Sequence, residues 1–303
     1  MSRFLVIVVS FIYLSSLADL FRPEAEHFHP NVPIVWAVTN KLPSHVEVYE
    51  TVQTNFSNAA LSNAMAMGSF KPIDISSQSK DLIIFESRKN TVLVRCLKIS
   101  QPQGSVDYFK SQTNYASIHG VPSFDETKRL ALEYLRLFGG DTNQVSLKPS
   151  SRTEQTVSSY DKRGGTMTNK AVSARGIILS RSLNGIDCSD SLFIEFGNDA
   201  TVIMLKLNWR YLKPHELIKT PGKNEILNML KAGKAAVLPN VNGDDVPADA
   251  RSFRIVEATP VYRLQNAKDV VYPFTDFEVI AESKTNAASF YIECPLVPIS
   301  DHF

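Results

Sequence analysis

The clearest pattern of apolar and polar positions lies in residues 201–211, where Ile203, Leu205, Leu207, Trp209 and Tyr211 alternate with Lys206, Asn208 and Arg210. An alternation of period two places one set of side chains on the core face of a β-strand and the other in water. Two turn signals precede it, Asn184-Gly185 and Gly197-Asn198-Asp199. Both supply residues that tolerate positive φ, as tight hairpins require. Residues 174–212 are therefore expected to form an antiparallel meander of three strands.

The same reading extends along the chain. Residues 46–52 read as a strand, and Asn55 or Ser57 can cap a short helix marked by Ala59, Leu61, Ala64 and Met65 and closed near Gly68. Strands follow at 82–86, 91–99 and 105–110. Ser123-Phe124-Asp125-Glu126 forms a capping box, in which the serine hydroxyl accepts from the Glu126 amide and the Glu126 carboxylate accepts from the Ser123 amide. The stripe Leu130, Ala131, Tyr134, Leu135 and Phe138 predicts a helix that Gly139-Gly140 ends. Strands at 155–160, 174–183, 192–196 and 201–211 come next, with the polar stretch 161–172 as an exposed hairpin loop. A third helix opens at Thr220-Pro221, carries Ile226, Leu227 and Leu230, and closes at Gly233. Strands at 252–264, 271–281 and 288–293 complete the pattern. One-faced alternation implies sheets covered on one side only. The expected fold class is α+β: three helix-then-meander units, each a helix packed on one face of a curled antiparallel sheet.

At the N-terminus, Arg3 precedes a continuous apolar run from Phe4 to Leu14 with small residues at Ser16 and Ala18. This matches a secretory signal peptide over 1–18, because Asp19 and Arg22 end the run short of the roughly 20 residues a spanning helix needs. The expected organisation is a signal peptide (1–18), an irregular proline-interrupted leader (19–45), a first helix-plus-meander lobe (46–139) and a second lobe (140–303), with the boundary between lobes near 139–152. No later segment is apolar enough to span a membrane, which implies a secreted or extracytoplasmic protein.

Lys and Arg number 32 against 31 Asp and Glu, so neither a nucleic-acid footprint nor a polybasic membrane patch is indicated. Cys96, Cys188 and Cys294 are too few for a disulfide scaffold. In an oxidising compartment one pair can bridge; Cys96 and Cys294, both in apolar strand contexts, are the candidates, and a buried free thiol explains each equally well. Cys188, beside a hairpin turn, is the thiol expected to be exposed. Asn55-Phe56-Ser57 is a glycosylation sequon if the host is eukaryotic.

Catalytic signatures are absent from the sequence: no His-Glu-x-x-His, no Gly-x-Ser-x-Gly elbow and no phosphate loop. His27 and His29 have no ligand set behind them, and the run 240–249 (NVNGDDVPAD) begins like a calcium loop but lacks the distal glutamate, so neither a metal nor a cofactor is expected. His119 reads as an ordinary loop histidine. Glu195 and Glu278 are the central-strand candidates for the acidic pair a hydrolase would need, and both are expected to face water. Arg181 falls in an apolar alternation with Ile177, Leu179 and Leu183, so its charge requires a carboxylate partner or solvent. With Trp209 and Arg210 on neighbouring strands it forms the candidate binding cluster; the plainer alternative is an arginine at the sheet edge with Trp209 filling core.

The segments "SRSLNGI", "IEFGNDATVIMLKLNWRYL" and "TPGKNEILNML", with "ATPVYRL" and "VVYPFTDFEV" carrying Tyr262, Pro273 and Phe277, resemble PepSY-like secreted proteins. That resemblance implies tandem cystatin-like units and noncovalent work: inhibiting or chaperoning a secreted peptidase, or regulatory contact at the cell envelope, as in the two-lobed regulators of a cell-wall sensor kinase. It carries over no catalytic residue. The expected function is a noncatalytic secreted binding or regulatory protein that meets a protein or peptide partner through its sheet surface or edge. The alternative is a motif-less hydrolase of an envelope or extracellular polymer.

Overall fold

The computed structural model describes residues 27–111, 118–160, 167–239, 249–264, 270–284 and 286–297. The expected signal peptide (1–18), residues 161–166 of the expected hairpin loop and the calcium-like run up to residue 248 lie outside the described residues. Strand makes up 51% of the structure and helix 19%, with three α-helices. Among the described residues fourteen strands join one mixed sheet and three more form a second. This overturns the expected tandem of cystatin/PepSY-like, helix-on-sheet units. The reason is that periodicity marks strands but does not choose their partners. Ser105–Lys110, the last strand of the first expected unit, pairs antiparallel with Val202–Asn208 from the second, so the two share a single sheet. Parallel pairings also occur, between Ile34–Trp36 and Phe253, Arg254 and Ile255, and between Asp187 and Cys188 and Val261 and Tyr262. Among the described residues no helix is long and apolar enough to cross a membrane.

The described residues fall into two compact units. Unit 1 takes residues 52–183 and 190–211. Its strands lie in the order Ile75–Gln78, Leu82–Lys89, Val92–Ser100, Ser105–Lys110, Val202–Asn208, Ile186–Phe196, Met167–Leu183 and Arg152–Tyr160. The last two form a hairpin whose register begins at Tyr160 and Met167, so residues 167–172 of the expected loop are strand. One face of the sheet is closed by the helices Asn58–Met67 and Phe124–Leu137. Ala60, Ala64, Ala131 and Leu135 pack there with Leu97, Leu179, Leu192, Ile194, Leu205 and Leu207. Ser57 caps the first helix by accepting from the Ala60 amide at 3.1 Å. Ser123 caps the second by accepting from the Glu126 amide at 3.3 Å. The reciprocal half of that capping box does not form, because Arg129 holds the Glu126 carboxylate at 2.6 and 2.8 Å. Gly176 is needed where strands approach closely: a Cβ there would lie 2.5 Å from Thr153 Oγ1 and 3.1 Å from the Ile194 carbonyl.

Unit 2 comprises the described residues up to 51, residues 184–189 and those from 212 onward. The order Ala236–Val237, Ala287–Pro295, Pro273–Glu282, Ser252–Tyr262 builds its main sheet. Ile226 and Leu230 of the Lys223–Lys231 helix join Phe28, Phe253, Phe277 and Phe290 in its core. That helix starts two residues later than the Thr220-Pro221 signal suggests. Gly222 is the cap, and its amide donates to the Glu225 carboxylate at 2.6 Å. The leader is not wholly irregular, since Phe28 is buried and Ile34–Trp36 is a strand. Asn184-Gly185 makes the expected turn, with φ of +51° and +82°. Asn184 then donates to the Glu47 carboxylate at 2.6 Å, while the Tyr262 hydroxyl donates to the Glu47 carbonyl at 2.6 Å.

Candidate functional site

The expected strand 201–211 breaks in two. Val202–Asn208 ends at Trp209-Arg210, and Tyr211–Lys219 pairs in the other sheet. Peptide groups that leave a ladder must find new partners. The three residues of the candidate cluster meet at this break. The Arg210 amide donates to Asp190 Oδ2 at 2.8 Å, and the Arg210 carbonyl accepts from Arg181 Nη1 at 2.7 Å. The same Nη1 lies 3.1 Å from Asp190 Oδ2, and Arg181 Nε donates to Gln144 Oε1 at 2.8 Å. The guanidinium carbon sits 5.2 Å from the Trp209 ring centroid, and the Trp209 amide donates to the Gly104 carbonyl at 3.1 Å. Side-chain exposures of 5% for Arg181 and 4% for Asp190 leave no room for a ligand on this pair. Arg181 is therefore a structural clamp on the strand exit, and the carboxylate partner its charge requires is Asp190. Burial raises the Asp190 pKa against the opposing hydrogen bond from the Arg210 amide and the pull of Arg181. Neither Arg181 nor Trp209 presents a contact surface.

The thiols also differ from expectation. Cys96, Cys188 and Cys294 are all free, so the candidate Cys96–Cys294 bridge is not formed. Cys96 lies between Glu86 and Phe109 in its ladders, and Cys294 opposite Thr275. Cys188 is buried rather than exposed, because the strand Ile186–Phe196 begins directly after the turn and carries it beside Tyr262. His27 and His29 stand with ring centroids 6.1 Å apart, and no cluster of three metal-ligating side chains occurs among the described residues. His119 Nε2 lies 2.9 Å from Asp199 Oδ2, with both side chains exposed.

The face of the unit 1 sheet away from its helices gathers a different set. Register fixes two rows across five strands: Glu86, Cys96, Phe109, Met204 and Glu195, then Ile84, Lys98, Asp107, Lys206 and Phe193. None of these ten belongs to the helix-side core. Phe109, in the middle of the first row, is 41% exposed. Asp107 lies between Lys98 and Lys206; burial raises its pKa and the two lysines oppose the rise. At the end of the first row Glu195 is only 3% exposed, which corrects the expectation that it faces water. Its Oε2 accepts from Gln155 Nε2 at 3.0 Å. With a neutral amide as partner, burial pushes the Glu195 pKa up to about 7. Alternation did place Glu195 on the face opposite Ile194 and Phe196. The missing signal was the placement of the Arg152–Tyr160 strand, which brings Gln155 onto it. Glu278 lies in unit 2, half-buried, and accepts from Ser289 Oγ at 2.8 Å.

No protein-family model matches this chain, and no curated protein does either.

Proposed function

We propose that the chain is a noncatalytic binding protein that holds a protein or peptide partner against the helix-free face of unit 1. The observation that carries this reading is the composition of that face. A large aromatic side chain, Phe109, stands exposed beside Met204, with Lys98, Asp107 and Lys206 along the neighbouring row. An exposed aromatic anchor with a charged border is the arrangement that partner interfaces use. Edge pairing at Ile75–Gln78 is the weaker route. That strand has four residues and a bulge, and Pro72 lies just before it, all devices that discourage strand addition.

A photocrosslinking residue at position 109 of the full chain tests the reading, with the same residue at the exposed Ile73 as control. The expected result is one discrete adduct from position 109 that excess unlabelled chain competes away. Equal capture from position 73, or no adduct from 109, would refute it. A second reading, a hydrolase, draws on one fact: a glutamate titrating near 7 suits a general acid. Turnover of a polymer substrate that is lost in Glu195→Gln would favour the hydrolase over the binding protein.

A further inference from the structure

We infer that the strand Tyr211–Lys219 is an edge that takes up an extended acidic peptide segment, at a surface separate from the unit 1 face. The strand is nine residues long and terminates the order Tyr211–Lys219, His45–Val52, Val270–Val271, so among the described residues only one of its edges is paired. Seven of the nine residues are exposed, including Leu217 at 67%. Pro214 has no amide to offer, which leaves residues 215–219 as the continuous stretch an added strand can use.

Alternation then decides the chemistry of the occupant. Lys213, His215, Leu217 and Lys219 share one face of the strand, all exposed, and the acid Glu216 falls on the other with the half-buried Leu212 and Ile218. The side chains of Lys213, His215 and Lys219 make no hydrogen bond or ion pair among the described residues. The chain's other cations are often engaged: Arg88, Arg129, Arg175, Arg181, Arg254 and Arg263 each hold a carboxylate. Glu47, on the neighbouring strand, is held by Asn184 and Tyr49. Three uncommitted basic side chains around an exposed leucine, on a strand with a free edge, complement an extended segment that alternates acids with small apolar residues. Main-chain bonds supply the affinity of such strand addition, and facing side chains supply its selectivity.

The test is fluorescence anisotropy of the full chain with a short labelled peptide alternating glutamate with threonine and valine. A lysine-for-glutamate version and a backbone N-methylated version serve as comparisons. The acidic peptide should bind at low salt and weaken as salt rises. The basic and N-methylated peptides should bind at least about tenfold more weakly, and Lys213→Glu/Lys219→Glu should lose about tenfold for the acidic peptide while gaining affinity for the basic one. Equal binding of both charge types, no binding of the acidic peptide at low salt, or no response to the charge reversal would overturn the inference. Crosslinking from position 109 is a separate readout, so the face and the edge can each fail alone.

Discussion

Glu195→Gln should make the protein more stable at alkaline pH and leave it unchanged near pH 4.5. In the unfolded chain the Glu195 carboxyl titrates at its ordinary 4.5, and in the fold at about 7. Below 4.5 both states hold the proton, and Glu195 adds no pH dependence. Between 4.5 and 7 the unfolded chain loses its proton while the fold retains it, so stability falls as pH rises. Above 7 the fold bears the full cost of an ionised carboxylate at a site 3% exposed with one neutral donor. The gap between 4.5 and about 7 corresponds to about 3 kcal/mol. Glutamine keeps the shape and a hydrogen-bonding partner for Gln155 but cannot ionise. The assay is urea denaturation at several pH values from 4.5 to 8, read by fluorescence. The chain has two tryptophans, Trp36 in unit 2 and Trp209 in unit 1, so a Trp36→Phe background confines the signal to the unit that holds Glu195. The variant should match the parent at pH 4.5 and exceed it by about 2–3 kcal/mol at pH 8. A difference that is flat across pH, or a variant weaker than its parent at pH 8, would refute the buried-acid argument.

Further outcomes follow from the clamp at Arg210 and from the thiols. Arg181→Met should cost about 3–5 kcal/mol, because Asp190 stays buried without its cation. Adding Asp190→Leu should restore only part of that in the same denaturation assay, since the amide and carbonyl of Arg210 lose the bonds that Asp190 and Arg181 gave them; full restoration would contradict the backbone role. Thiol titration without reductant should find three free cysteines in denaturant, and two missing thiols would reveal a disulfide. In the folded protein half-buried Cys96 should react first, while Cys294, whose thiol burial pushes up to about 12, should react last.

Much of the local structure is legible in the residues. Ser123 with its apolar stripe marks a helix, Asn184-Gly185 marks a hairpin, and the alternation at Leu205 and Leu207 gives the buried face of its strand. Partner choice is not legible, because it depends on which strands meet after collapse. Ile34, Val35 and Trp36 carry no local sign that they will lie parallel to Phe253, Arg254 and Ile255. Nor does the pattern at Trp209 announce a break, since Tyr211 continues the alternation without interruption. The break depends on Arg181 and Asp190 from two other strands capturing the carbonyl and the amide on either side of the Arg210 Cα. Arg181, Trp209 and Arg210 meet at this break, with the Arg181 side chain turned inward. The burial of Glu195 is hidden from the sequence for the complementary reason: burial of one side chain is set by the strand that arrives beside it.

The interleaving of the two units has a consequence for synthesis. Unit 2 draws on both ends of the described chain. Asn40 donates to the Ala258 carbonyl across 218 positions, and Tyr262 to the Glu47 carbonyl across 215. Unit 1 has its last residue at Tyr211. On a ribosome, unit 1 can therefore close while the apolar residues Phe28, Val46 and Val48 wait for strands that have not yet been made. A fragment stopped near residue 212 would keep these side chains without the unit 2 strands that cover them. An expressible unit 1 would begin near Val52 and join Leu183 to Asp190 through a new turn in place of residues 184–189.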